Sequence, residues 1–209
     1  MSYHDEQESI ESLKAWWARW GNLTTWIAIA VLAAAAAWNG WNYWQRHQAA
    51  QAAVLYEQVR QAVQSNDKAK VARVASDMED KFGGTAYAQM TALEAAKALY
   101  GAGDAAGAKA QLQWAADHAK DDEYKQIAKL RLASLLLDEK AYDAGLALLS
   151  GTPSDAFKGI VADRRGDLLA AQGKSDDARA AYKLALDSLS KDDASARQLV
   201  QFKLDALGG

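Results

Sequence analysis

Two patterns of apolar positions divide the chain. Between Arg19 and Arg46 no residue is charged, and the centre, Trp26 to Trp38, is apolar on every face of a helix. A helix without a polar side has nothing to turn to water, so it sits in protein or in lipid. At about 1.5 Å per residue the stretch from Trp20 to Trp44 runs roughly 36 Å. That length suits a hydrocarbon core of about 30 Å with its interfaces. From Gln48 onward apolar residues recur at three- and four-residue spacing instead, as in Leu130, Ala133, Leu136 and Leu137. This is the helical period, and no sustained alternation of period two argues for a strand. Short breaks punctuate it: Ser65-Asn66-Asp67, Gly83-Gly84-Thr85, Gly101 to Asp104, Asp121-Asp122, Asp138-Glu139-Lys140, Gly151 to Ser154 and Gly173-Lys174-Ser175. The pattern predicts an all-α protein, with one N-terminal transmembrane helix followed by an α-solenoid of helix pairs.

The aromatic residues sharpen the first half of that reading. Of eight tryptophans, seven flank the apolar stretch: Trp16, Trp17, Trp20 and Trp26 before it, and Trp38, Trp41 and Trp44 after it. With Tyr43 they form two belts of the kind that anchor a spanning helix at headgroup level. A cleavable signal peptide would use the small residues Ala33 to Ala37. The long acidic leader (Asp5, Glu6, Glu8, Glu11) and the aromatic run beyond any cut argue against it. The expected organisation is a leader over residues 1–22, a transmembrane helix over 23–45 and a helical domain over 46–209. Orientation stays open on charge, because Lys14 and Arg19 on one side balance Arg46 and Arg60 on the other. Self-association through the Ala33–Ala37 and Ala36–Gly40 spacing also stays open.

A repeat fills the second half. The stretch Gly166 to Ala185 resembles a tetratricopeptide repeat, with Gly166, Leu169, Ala178, Tyr182 and Ala185 at its small, large, small, aromatic and small positions. Small residues let two antiparallel helices approach, and the large ones fill the gaps between them. Sliding back from Ala178 places Ala144, Ala108 and Ala72 at the equivalent position. Leu135 and Leu148 accompany Ala144, and Ala96, Leu99, Leu112 and Ala115 accompany Ala108. Around Ala72 the match is poor, with Arg60 and Ser76 at key places. The segment Ala194 to Leu207 reads as a capping helix.

Composition then narrows the chemistry. The 209 residues contain one proline, Pro153, and no cysteine, which removes disulfides, thiolate zinc sites and cysteine nucleophiles. A net charge of −3 gives no footprint for nucleic acid. His4, His47 and His118 stand apart from one another, outside any metal-ligand spacing. The acidic pairs Asp121-Asp122, Asp176-Asp177 and Asp192-Asp193 fall at helix starts, where carboxylates cap amides and meet the positive end of the dipole. Trp114 reads as a packed residue of an outer helix. No cofactor, metal or catalytic residue is expected, and neither is an enzyme.

Taken in order, the pieces resemble the ancillary subunit family of the bacterial SecYEG translocon. The matching stretches are the acidic start Asp5 to Glu8, the lead-in Leu13 to Asn22, the span, the junction Trp41 to Gln48, the helix from Ala53 to Glu57 and the closing repeats. The resemblance implies an inner-membrane protein with its N-terminus cytoplasmic and its repeats periplasmic. The implied partners are Sec translocon subunits, periplasmic chaperones or client polypeptides, and the lipid bilayer. The alternative is a membrane-anchored regulatory adaptor that sequesters a stress-response signalling protein. In the repeat register, first helices line a groove, which puts Glu57, Gln61, Lys97, Tyr100, Gln126, Lys129, Asp163 and Asp167 at partner-binding positions. Basic and acidic residues nearly balance beyond the span, which suits a polypeptide partner better than a polyanion.

Overall fold

The computed structural model describes the backbone of residues 3–208 and the side chains of residue 11 and of residues 14–208. His4, Asp5, Glu6, Glu8 and Leu13, singled out above, have side chains outside the described residues. The described elements are nine α-helices and one short 3-10 turn, with no strand among the described residues. The first helix, α1, runs Tyr3–Gln64. The chain divides into two compact units, Met1–Gln48 and Ala49–Gly209.

In the first unit the charge-free stretch is helical throughout, and only 6% of its most apolar window is covered by the protein itself. A soluble core helix would be mostly covered; this helix is long and apolar enough to cross a membrane. The tryptophans of both belts are exposed, from Trp16 at 47% to Trp38 at 68%. Two polar side chains near the N-terminal end find partners inside the helix. Thr24 and Thr25 each donate a hydroxyl to the Gly21 carbonyl, at 3.0 and 2.7 Å. Such back-bonding satisfies hydroxyls where water is absent.

In the second unit the C-terminal part of α1 pairs with α2 (Lys68–Phe82), and α3 (Ala86–Gly101) pairs with α4 (Ala105–His118). Then α5 (Asp122–Asp138) pairs with α6 (Tyr142–Leu148), and α7 (Lys158–Ala171) with α8 (Ser175–Ser188). Helix α9 (Ala194–Ala206) closes the series. Every predicted break falls between helices or at a helix end. The turn inside each pair has one construction. A residue at left-handed φ occurs at Asn66, Gly103, Lys140 and Gly173. The following amide bonds back five residues: Asp67 N to Ala62 O at 3.0 Å, Asp104 N to Leu99 O at 2.8 Å, Ala141 N to Leu136 O at 2.8 Å and Lys174 N to Leu169 O at 2.9 Å. These turns lie 37, 37 and 33 residues apart (66 to 103, 103 to 140, 140 to 173).

That geometry corrects the alanine register in two of the four repeats. Five residues after each left-handed position stands the small seat of the second helix: Val71 at 1% exposure, Ala108 and Ala178 at 0%, and Gly145, also buried. Ala72 is only half-buried and Ala144 is exposed. At Gly145 a Cβ would come within 2.8 Å of the Leu168 Cδ2, so any larger residue there would have to displace that fully buried side chain. Among the acidic pairs, Asp121 and Asp193 cap their helices by accepting from Glu123 N at 2.9 Å and Ala196 N at 3.0 Å. Asp176 and Asp177 lie in the first turn of α8, where they meet its dipole.

The core is continuous along the first three pairs, with Leu99, Leu112 and Leu132 at its centre. A second cluster, Tyr182, Ala178, Ala185, Val200 and Leu204, joins α8 to the capping helix. Gln89, 5% exposed, pins α3 to the start of the third pair, its Oε1 accepting from Lys120 N at 3.1 Å and Asp121 N at 3.3 Å. Trp114 packs half-buried between two clusters and stacks on His118, with ring centroids 5.3 Å apart.

Candidate partner-binding cleft

The first helices of three successive repeats present one face to a common cleft. From α3 come Met90, Leu93, Glu94 and Lys97, spaced three, one and three residues apart, which is one face of a helix. The tail of α1 adds Tyr56 and Val63, and α5 adds Tyr124 and Arg131, each pair seven residues apart. The resulting cleft holds about 620 Å³. A second depression of about 380 Å³, reaching Tyr100, Ser134 and Asp138, shares Lys97 and Arg131 with it.

Each of the two carboxylates of this surface, Glu94 and Asp138, has a tyrosine hydroxyl beside it. Burial, and then its hydrogen bond to the Glu94 carboxylate, push the Tyr56 hydroxyl up to about 12. Tyr56 also packs its ring against Tyr87, centroid to centroid at 5.7 Å. Tyr100 donates to Asp138 Oδ2 at 3.1 Å, and that bond raises its pKa. Arg131 Nη1 reaches the Leu93 carbonyl at 3.3 Å, which ties α5 to α3 while leaving the guanidinium without a carboxylate. Among the described residues no group of three His, Asp or Glu side chains is placed to hold a metal ion.

Of the residues placed at groove positions from the sequence, Lys97 and Tyr100 meet in this cleft. Gln126 and Lys129 instead line a separate pocket of about 20 Å³ beside Leu149 and Pro153. The one-residue slip from Ala144 to Gly145 explains this. It rotates the expected face of α5 by about 100°, one residue's turn of a helix, and brings Arg131 and Ser134 to the cleft. The opposite slip, from Ala72 to Val71, brings Tyr56 and Val63 in place of Glu57 and Gln61. Those two are exposed on α1 and line none of the described clefts, and Glu57 pairs with Arg60 at 3.3 Å.

Asp163 and Asp167 are engaged inside the domain. Lys203 of the capping helix sits 2.7 Å from Asp163 Oδ1 and 2.8 Å from Asp167 Oδ1. Tyr182 donates its hydroxyl to Asp167 at 3.0 Å. Burial still keeps the Asp163 carboxyl above the usual carboxylate range, outweighing the Lys203 ammonium. Burial, with Asp167 beside it, likewise raises Tyr182.

Comparison with known proteins decides the family. A family model described as a tetratricopeptide repeat-like domain matches residues 14–209. The ancillary SecYEG translocon subunit of Neisseria gonorrhoeae is 31% identical over 205 residues, covering 97% of this chain and 97% of that protein. The chain belongs to the ancillary SecYEG translocon subunit family. The family's Escherichia coli K12 member is 31% identical over 102 residues, 49% of this chain and 50% of its own length. No solved structure is significantly similar to the chain. The family match takes in the apolar stretch as well as all four helix pairs.

Proposed function

We propose that this subunit is a non-catalytic scaffold at the Sec translocon, anchored in the inner membrane by one span. In this reading residues 1–22 face the cytoplasm, 23–45 cross the bilayer and 46–209 lie in the periplasm. The tryptophan belts, Trp16, Trp17 and Trp20 on one side and Trp38, Trp41 and Trp44 on the other, hold the helix at the two headgroup levels. The cleft around Lys97 and Tyr100 receives polypeptide, either a periplasmic chaperone or a client leaving the translocon.

The observation that carries the reading is the cleft shared by α1, α3 and α5, a continuous surface built by successive repeats. Tetratricopeptide-like arrays present extended surfaces of this kind to other proteins, and the 97% coverage of a translocon subunit gives the setting. A photoreactive residue at Lys97 or Tyr100 in the full-length protein, in cells, tests it. Crosslinks to translocon subunits, periplasmic chaperones or exported chains are expected, with the repeats digested by protease added to spheroplasts. Crosslinks only to cytoplasmic proteins, or repeats protected in spheroplasts, would overturn the assignment.

A further inference from the structure

The cleft has a sign. Its larger part carries Lys68, Lys97 and Arg131 against the single carboxylate of Glu94. That carboxylate lies beside the Tyr56 hydroxyl, and Asp138 in the adjoining depression accepts from Tyr100 at 3.1 Å. No ion pair engages Lys68, Lys97 or Arg131 among the described residues, and Lys68 and Lys97 are exposed. Some cations elsewhere are engaged, as Lys203 is by Asp163 and Asp167, and Lys158 by Asp155 at 2.6 Å; what sets Lys68, Lys97 and Arg131 apart is that they line one cleft. The walls between these cations are apolar and aromatic: Val63, Met90, Leu93 and Tyr124. A peptide with a large apolar side chain fits the walls, and carboxylates on either side of it meet the free cations in charge-assisted contacts.

We infer that the cleft selects extended polypeptide segments in which a large apolar residue is flanked by carboxylates. This rests on the cleft being a polypeptide site and adds the class of segment that it prefers. The near-balance of charge over the whole domain hides the preference, because the acidic residues that offset these cations lie on other faces.

Full-length protein in the non-ionic detergent dodecyl maltoside tests it, with rhodamine-labelled nonapeptides followed by fluorescence anisotropy. One peptide has a leucine flanked by four glutamates, and two others carry glutamine or lysine in place of glutamate. The glutamate peptide should bind at least tenfold more tightly than the glutamine one. The preference should shrink severalfold as salt shortens the screening length from about 14 Å to about 4 Å. Lys68→Gln combined with Lys97→Gln, which breaks no internal bond, should erase it, as should Arg131→Gln in a variant with unchanged circular dichroism. Lys183→Glu on α8, away from the cleft, should leave it intact. If glutamate and glutamine peptides bind alike, and both crosslink to benzoylphenylalanine placed at Tyr100, the charge preference is overturned while the peptide cleft stands. If no peptide binds, or none reaches position 100, both readings fall.

Discussion

A methyl group on Gly166 would lie 2.5 Å from Cδ1 of Tyr182, a ring that is 3% exposed with its hydroxyl tied to Asp167. Alanine in a helix interior gains about 1 kcal/mol over glycine, while forcing a packed ring aside costs roughly 1–3 kcal/mol. The steric term wins, so Gly166→Ala should lower stability by about 1 kcal/mol, seen as a lower urea midpoint. Lys140 presents the opposite case. It holds φ 61 where the other pairs place Gly103, Gly173 or Asn66. A left-handed residue with a Cβ costs about 1–2 kcal/mol, and glycine's extra chain entropy returns roughly 0.5–1 kcal/mol of that. Lys140→Gly should therefore raise the urea midpoint, by about 0.5 kcal/mol of stability; an unchanged or lower midpoint would show that the turn relaxes to suit lysine. These four turn positions also show what was legible. Asn66, Gly103, Lys140 and Gly173 all fall inside breaks visible in the sequence, so aligning turns would have given the repeat register. Aligning alanines could not, because Ala141, Ala144 and Ala147 crowd around Gly145 and one small residue looks like another.

At the level of elements, the capping helix is held by one cation as well as by Val200 and Leu204. Lys203, Asp163, Asp167 and Tyr182 come from three helices, and nothing in their spacing along the chain announces that they meet. Asp163 and Asp167, 18% and 14% exposed, both meet that ammonium. Without it Asp167 keeps its ion pair with Arg164 at 3.3 Å, while Asp163 is left as a mostly buried carboxylate with no ion pair among the described residues, which is costly. Lys203→Met should destabilise the end of the domain by about 2–4 kcal/mol, with hydrogen exchange rising first in 194–206. The pH dependence separates lost charge from lost packing. Burial already holds the Asp163 carboxyl above its usual range, and without Lys203 it holds its proton more tightly still in the folded state. Its folded pKa then lies further above the unfolded value, so stability lost at pH 8 returns as pH falls through it. A deficit of equal size at pH 5 and pH 8 would assign the loss to packing instead. Asp163→Asn added to Lys203→Met should recover part of the stability at pH 8, since the stranded charge is gone while Asp167 keeps Arg164.

The chain joins a long apolar helix to a domain with core clusters of its own. The amino-acid pattern made that division visible, because the two halves differ in period and in charge rather than in a single motif. Seven of the eight tryptophans lie before Gln48, so a fragment of residues 49–209 keeps only Trp114. That ring is half-buried between two core clusters, and a Cβ on Gly83 would come within 3.3 Å of its Cζ2. Its emission therefore reports the packing of α2 against α4 and nothing from the membrane segment. The fragment should be soluble without detergent, strongly helical by circular dichroism, and blue-shifted in Trp114 emission relative to the same fragment in urea. Because an array's stability is a sum of neighbour terms, Lys203→Met in the fragment should leave the Trp114 transition almost unmoved while the helix signal loses its C-terminal part early. A single transition in both signals, displaced equally by that substitution, would mean that the four helix pairs and their cap unfold as one cooperative block. A fragment that is unfolded or aggregates at once would mean that residues 3–48 supply part of the core.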